Sequence, residues 1–158
     1  MFDQEAIEFL ESGCALIVGT ARPDGEPHAG RGWGLDVISP GARPELRLLL
    51  DAGDETTLEL VAGGGTMAIT ATSVRTLRSV QVKGRSLGLA APAEEDAGRA
   101  RRYMDEFFHD IQDTDGTPDL LLTHFEPLSF VACVVEVHER FDQTPGPGAG
   151  ARIGPGPA

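Results

Sequence analysis

Two strand-like runs face each other across a turn near the start of the chain, and that pairing limits the fold more than any other feature. Residues 14–20, CALIVGT, are compact, apolar and rich in β-branched side chains. Pro23-Asp24-Gly25 follows; proline presets φ at a turn corner and glycine accepts positive φ. His28 to Ser39 then reads as the returning strand. Two such runs joined by a turn form an antiparallel hairpin. A sheet built only of parallel strands with helical crossovers is thereby excluded.

The rest of the chain extends this pattern. Residues 3–12, DQEAIEFLES, place Ile7 and Leu10 on one face of a short helix, with Gly13 as its stop. A turn at SPGARPE leads into a third strand, Leu46–Leu50. Asp54 is the N-cap candidate of a helix of about two turns, with Leu58 and Val61 at helical spacing, stopped at Gly63. TMAITAT (66–72) is a strand, and residues 77–90 are a longer one with a bend or bulge expected at Gly84. Residues 93–111 give the strongest helical pattern, with Ala100, Tyr103, Met104, Phe107, Phe108 and Ile111 in one apolar stripe. The last strand is 128–139. From Thr144 the chain is rich in Pro and Gly, and a disordered tail over 144–158 is expected after a single domain over 1–143. Antiparallel hairpins with inserted helices predict an α+β fold around a barrel-like sheet, because the strand–helix alternation of a doubly wound fold is missing.

Composition narrows the partners. The chain carries 13 Lys and Arg against 25 Asp and Glu, a net charge of −12. Such a surface repels phosphate backbones, so nucleic acid is not an expected partner. No apolar run approaches the roughly 18 residues of a membrane span. The acidic start lacks a basic signal region, and the two separated cysteines, Cys14 and Cys133, form no disulfide framework. Both observations lead to an expected cytoplasmic location. His28, His109, His124 and His138 show no metal-ligand spacing, so no metal is expected, and no catalytic acid, base or nucleophile can be named.

Three stretches could carry chemistry. Gly30-Arg31-Gly32-Trp33-Gly34 resembles a dinucleotide fingerprint, but a strand follows it where a helix is required. Strict alternation would put Arg31, Trp33 and Leu35 on one strand face and the glycines on the other. Glycines there either admit a flat ligand or serve packing. On the strand after Arg78, Ser79, Gln81 and Lys83 face away from Val80 and Val82. They make either a phosphate-and-ring-binding row or a solvated strand face; spacing alone favours the latter. Arginine's planar fork and lysine's point charge both suit phosphate, and Lys83 is the only lysine. Thr56 and Thr57 open the second helix, where backbone N–H groups can hold an anion. Asp54 and Glu55 beside them oppose one.

Taken in order, the N-terminal helix before CALIVGTARPDGEPHAGRGWG, the LRLLLDAGDETTLELVAGGGTMAIT block and the LRSVQVKGR strand resemble the pyridoxamine 5′-phosphate oxidase-like FMN-binding split-barrel family, over about Phe2 to Arg140. The resemblance implies an antiparallel six-stranded split β-barrel with flanking helices. It implies a homodimer with flavin sites between the subunits, and an FMN-dependent oxidoreductase acting on a small molecule. By position it implies cofactor contacts from Arg31, Thr56, Thr57, Arg78, Ser79, Gln81 and Lys83, with Trp33 beside the ring. The arginine-rich C-terminal motif of the true oxidases is missing from VACVVEVHERFDQTPGPG, which speaks against pyridoxamine-phosphate oxidation itself. The usual serine–lysine pairing is also missing at the second helix, where Leu58 follows Thr56-Thr57. That leaves a deazaflavin coenzyme, heme or a non-catalytic binding role as alternatives to FMN; a heme variant would need an axial ligand such as His28, His124 or His138.

Overall fold

A computed structural model describes residues 2–154. Its elements are α1 (Gln4–Glu11), β1 (Ala15–Ala21), β2 (Pro27–Ser39), β3 (Glu45–Asp51), α2 (Glu55–Ala62), β4 (Thr66–Thr72), β5 (Ser79–Ala90), α3 (Glu94–Asp115), α4 (Asp119–Leu122) and β6 (Phe130–Asp142). The strands close into one antiparallel barrel in the order β1-β2-β3-β6-β5-β4. The expected α+β six-stranded barrel with flanking helices is what forms. The hairpins β1–β2, β2–β3 and β4–β5 are local. Closure depends on β6, which returns from the far end of the sequence to pair with both β3 and β5.

Alternation fills the interior. Leu16 and Val18, Leu46 and Leu48, Ile69 and Ala71, Val82, Cys133 and Val135 are all buried there. β5 bends where expected: the register shifts between Lys83 and Gly84, and a Cβ at residue 84 would lie 2.0 Å from the Glu136 carbonyl oxygen. No other residue can occupy that bulge without moving a strand. β2 departs from strict alternation. Its register with β3 shifts between Gly32 and Leu35, and Gly32, Trp33, Gly34 and Leu35 are all buried in succession. The expected shared face of Arg31, Trp33 and Leu35 is therefore broken at a bulge, with Gly34 at a φ of 144°.

The helices start where side chains can cap them. Asp3 accepts from the Ala6 amide, and Asp54 accepts from the Thr57 amide at 3.1 Å. α3 runs four residues beyond the expected end, to a left-handed Gly116 whose N–H bonds back to Gln112. α4 and the 3-10 turn Thr123–Phe125 after it are not foretold by any periodicity; only Leu122 of this stretch is fully buried, while Leu120, Leu121 and Phe125 stay exposed.

One buried carboxylate fastens α3 to the barrel. Asp96 is 1% exposed. It accepts from Arg47 of β3 through Nε at 3.0 Å and Nη2 at 2.5 Å, from Arg99 at 3.0 Å, and from the Ala93 amide at 2.7 Å. Arg99 reaches on to Asp36 of β2 at 2.8 Å. The Arg47 guanidinium, with help from the Ala93 amide, holds the Asp96 carboxyl below the usual carboxylate range against the opposing effect of burial.

The chain after β6 does not match the expected tail over residues 144–154. The Ser79 amide donates to Thr144 Oγ1 at 3.0 Å, the Gly150 amide donates to the Asp142 carbonyl at 2.7 Å, and Ile153 donates to the Arg140 carbonyl at 2.8 Å. The Pro/Gly composition makes turns that bring the backbone back onto β6. The end of the expected tail, residues 155–158, lies outside the described residues. Among the described residues no helix is long and apolar enough to cross a membrane.

Replacing Asp96 by alanine leaves two guanidinium groups without their shared partner, and is expected to cost about 3–5 kcal/mol in urea unfolding. Because the folded carboxyl titrates below its unfolded value, this stabilisation is present above about pH 4 and fades as pH falls further. The gap between wild type and Asp96→Asn should narrow in acid; a gap that is unchanged at about pH 2 would contradict the assignment.

Candidate functional site

The start of α2 is sealed. Thr57 is fully buried, and its Oγ1 lies 2.9 Å from His28 Nε2 of β2. A Cβ at residue 30 would come within 2.1 Å of that same oxygen and 3.0 Å of Asp54 Oδ2, so Gly30 lets β2 and the helix touch. Asp54 takes the Thr57 amide, Asp51 takes the Gly53 amide, and Glu55 opens the helix. The favourable end of the helix dipole thus faces three carboxylates of this chain. Thr57 is a packing and hydrogen-bonding residue here, and the acidic neighbours oppose an anion beside Thr56.

Along β5 the four expected contacts separate. Arg78 pairs with Glu5 of α1 at 2.9 Å and lies 4.5 Å from the Phe9 ring. The Ser79 hydroxyl is buried, bonded to Thr72 Oγ1 and to the Leu77 carbonyl, both at 2.9 Å. Gln81 Nε2 donates to Thr70 Oγ1 at 2.9 Å. Lys83 is exposed, with its ammonium 4.7 Å from the Phe141 ring. Arg78 and Lys83 are five positions apart on one extended segment, roughly 16 Å along the strand. They do not meet at one phosphate within a single copy.

Gln81 and Lys83 do share a surface with β1 and β4. The register aligns Gly19 with Ala68 and Ala68 with Lys83, and aligns Ile17 with Thr70 and Thr70 with Gln81. These residues face outward from the barrel, and the Gly19–Ala68 row is nearly flat. A cleft of about 360 Å³ lies here, lined by Gly19, Thr20, Ala68, Lys83, Gly84 and His138 among others. Thr20 Oγ1 is buried beside it without a hydrogen-bond partner. His138 is bonded to Glu136 at 2.9 Å.

Arg31 and Trp33 come together elsewhere, beneath α3. The Arg31 guanidinium stands 4.9 Å from the Trp33 ring and 4.4 Å from Phe107. Its Nε and Nη2 and the Tyr103 hydroxyl are buried and find no partner outside this pair. Burial pushes the Tyr103 phenol up to about 12, and the adjacent Arg31 guanidinium opposes this by its charge and by hydrogen bonding to the phenol. A cavity of about 200 Å³ opens beside Arg31, lined by Trp33, Phe107, Phe108 and Leu122 among others; Tyr103 does not line it. The aromatic stripe of α3 was visible in the sequence, but its role as the wall around Arg31 was not.

A larger hollow of about 410 Å³ between α1 and α3 contains Cys14, Arg78, Glu106 and Asp110. Burial pushes the Cys14 thiol up, and the same holds for Cys133, so neither is a ready thiolate. Among the described residues no group of three or more His, Cys, Asp or Glu could hold a metal ion.

No family model and no curated protein matches the sequence. Solved structures do match the fold. HupZ of Group A Streptococcus is 15% identical with a TM-score of 0.56, the alignment covering 95% of this chain and 100% of that one. A candidate pyridoxamine 5′-phosphate oxidase from Lactobacillus delbrueckii is 16% identical at 0.54, covering 89% and 93%. An F420 reductase is 17% identical at 0.51, covering 88% and 98%. The likeness is one of fold, and it extends over nearly the whole of each chain.

Gly30→Ala forces the Thr57 hydroxyl away from His28 and should destabilise the protein by about 1–3 kcal/mol. The same change made in a Thr57→Ala background should cost clearly less, which a double-mutant cycle of denaturation midpoints would detect. Additive effects would show that the two residues do not meet.

Proposed function

From a split-barrel fold shared with an F420 reductase and a candidate pyridoxamine 5′-phosphate oxidase, we propose that this chain binds a flavin-type cofactor, FMN foremost, on the outer face of β1, β4 and β5. With it the protein would act as an oxidoreductase on a small molecule. The observation that carries the reading is the flat cleft in which the only lysine stands beside Gly19 and Ala68. Small side chains let a planar ring lie close to the sheet. The Gln81 amide and Thr70 hydroxyl sit on the neighbouring row as polar contacts for ring carbonyls. Lys83 supplies a point charge for an anionic group.

The residues fit the ring end of a flavin better than its phosphate end. The acidic start of α2 opposes a phosphate there, and Arg78 is already paired with Glu5. Lys83 is therefore the anchor, and Thr57, Arg78 and Ser79 serve contacts within the chain. When bound, a flavin supplies hydride transfer, and the protein contributes position and electrostatics. A deazaflavin coenzyme would use the same ring surface. Its longer anionic tail would have to run past Glu139, a lining residue of the cleft, so FMN is preferred.

A homodimer completes the reading. Ile17 is 44% exposed in the middle of this otherwise small-residue face, where a second copy would cover it.

Titration of FMN against the protein, followed by flavin fluorescence, tests the anchor. Lys83→Ala should weaken FMN about tenfold, the loss of roughly one charge-assisted hydrogen bond. Arg78→Ala should leave FMN affinity unchanged. Equal affinity for wild type and Lys83→Ala would refute the placement.

A further inference from the structure

We propose that the cavity between α3 and β2 binds a small uncharged aromatic molecule, of one ring or two fused rings. Its walls are Trp33 on β2, Phe107, Phe108 and Ile111 on α3, and Leu122 and Phe125 from the segment that follows. The surface they present is almost wholly apolar. Water gains little in such a place, because an ordered water needs two to four polar partners. The space measures about 200 Å³. An apolar cavity of roughly 150 Å³ already stays dry and takes up benzene. Drug-sized molecules need roughly 300–1,000 Å³, which sets the upper limit near two fused rings.

Charge is turned away whatever its sign. Arg31 borders the cavity, but its guanidinium lies against Trp33 at 4.9 Å and Phe107 at 4.4 Å, and its Nε and Nη2 are sealed from solvent. The Tyr103 hydroxyl is sealed as well, and Tyr103 is no part of the wall. A carboxylate would give up its hydration and meet no open donor. An ammonium group would give up its hydration beside a fixed positive charge. A neutral ring loses almost nothing on entering.

One wall is unfinished. Trp33, Phe107, Phe108 and Leu122 are buried, whereas Phe125 on the 3-10 turn is 68% exposed. A flat guest lying against that ring removes apolar surface on both sides from water. Four of the six walls are aromatic, and aromatic pairs gain beyond area burial when they meet offset or edge to face. That favours an aromatic guest over a saturated one of the same size. This site stands independently of the flavin reading, since it shares no lining residue with the cleft at Lys83.

The full chain would be titrated with fluorobenzene, following the fluorine NMR shift and the emission of Trp33, the only tryptophan. 4-Fluorobenzoate and 4-fluorobenzylammonium present the same ring with opposite charges. The expected result is a saturable shift with fluorobenzene, a matching change in Trp33 emission, displacement by toluene, and binding of both ions at least tenfold weaker. Ile111→Trp fills the cavity from a partly buried position and should abolish the shift. Phe125→Ala, at an exposed position that the fold does not need, should weaken fluorobenzene several-fold, and it carries the test if Ile111→Trp does not fold. No saturable shift, an unchanged Trp33 emission, either ion binding as tightly as fluorobenzene, or wild-type affinity in Phe125→Ala or in folded Ile111→Trp would overturn the proposal.

Discussion

The Asp96 carboxylate is the point on which the upper half of the molecule depends. It closes the first turn of α3 through the Ala93 amide and grips β3 through Arg47, while Arg99 carries the connection to β2. A helix of this length needs a fixed origin if its far residues are to meet the sheet in register. With that origin set, Tyr103 and Phe107 fall over Arg31. Glu106 meanwhile reaches the Gly13 amide at 2.9 Å and locks the turn between α1 and β1. The aromatic cavity is thus a consequence of an ion pair several turns away.

The distribution of charge explains much of what the surface can do. Most arginines near the ends of the barrel answer acids of the same chain, as Arg78 answers Glu5, Arg75 answers Asp110 and Asp113, and Arg152 answers Glu139. Arg31 and Lys83 pair with no acid among the described residues and rest against aromatic rings, as Arg78 also does against Phe9. A cation held by a ring keeps its hydrogen-bond donors for another group. Lys83, around which the proposed flavin cleft is built, is thereby set apart from the arginines that answer acids of the chain.

The strands were legible where local chemistry dictated them. Pro23-Asp24-Gly25 fixed the first hairpin, and the alternation of TMAITAT marked β4 from end to end. Gly84 announced its bulge. What escaped was decided by residues far apart in the chain. The shift at Trp33-Gly34 depends on how β3 meets β2, and the burial of Thr57 depends on His28 and Gly30. Periodicity cannot show such meetings. The same is true of the site residues: Gln81 and Lys83 proved to share a face with β1 and β4, whereas Arg31 with Trp33, Thr57, and Arg78 each joined a different neighbourhood. The return of residues 144–154 onto β6 was hidden by a composition that usually means disorder.

The central claim is that this barrel face holds a flavin. The most direct measurement is the absorbance spectrum of the purified protein after incubation with FMN and removal of free cofactor by desalting. The account predicts retained bands near about 375 and 450 nm, those of oxidised flavin, in stoichiometric amount. A desalted protein that keeps its fold but shows neither band would contradict it.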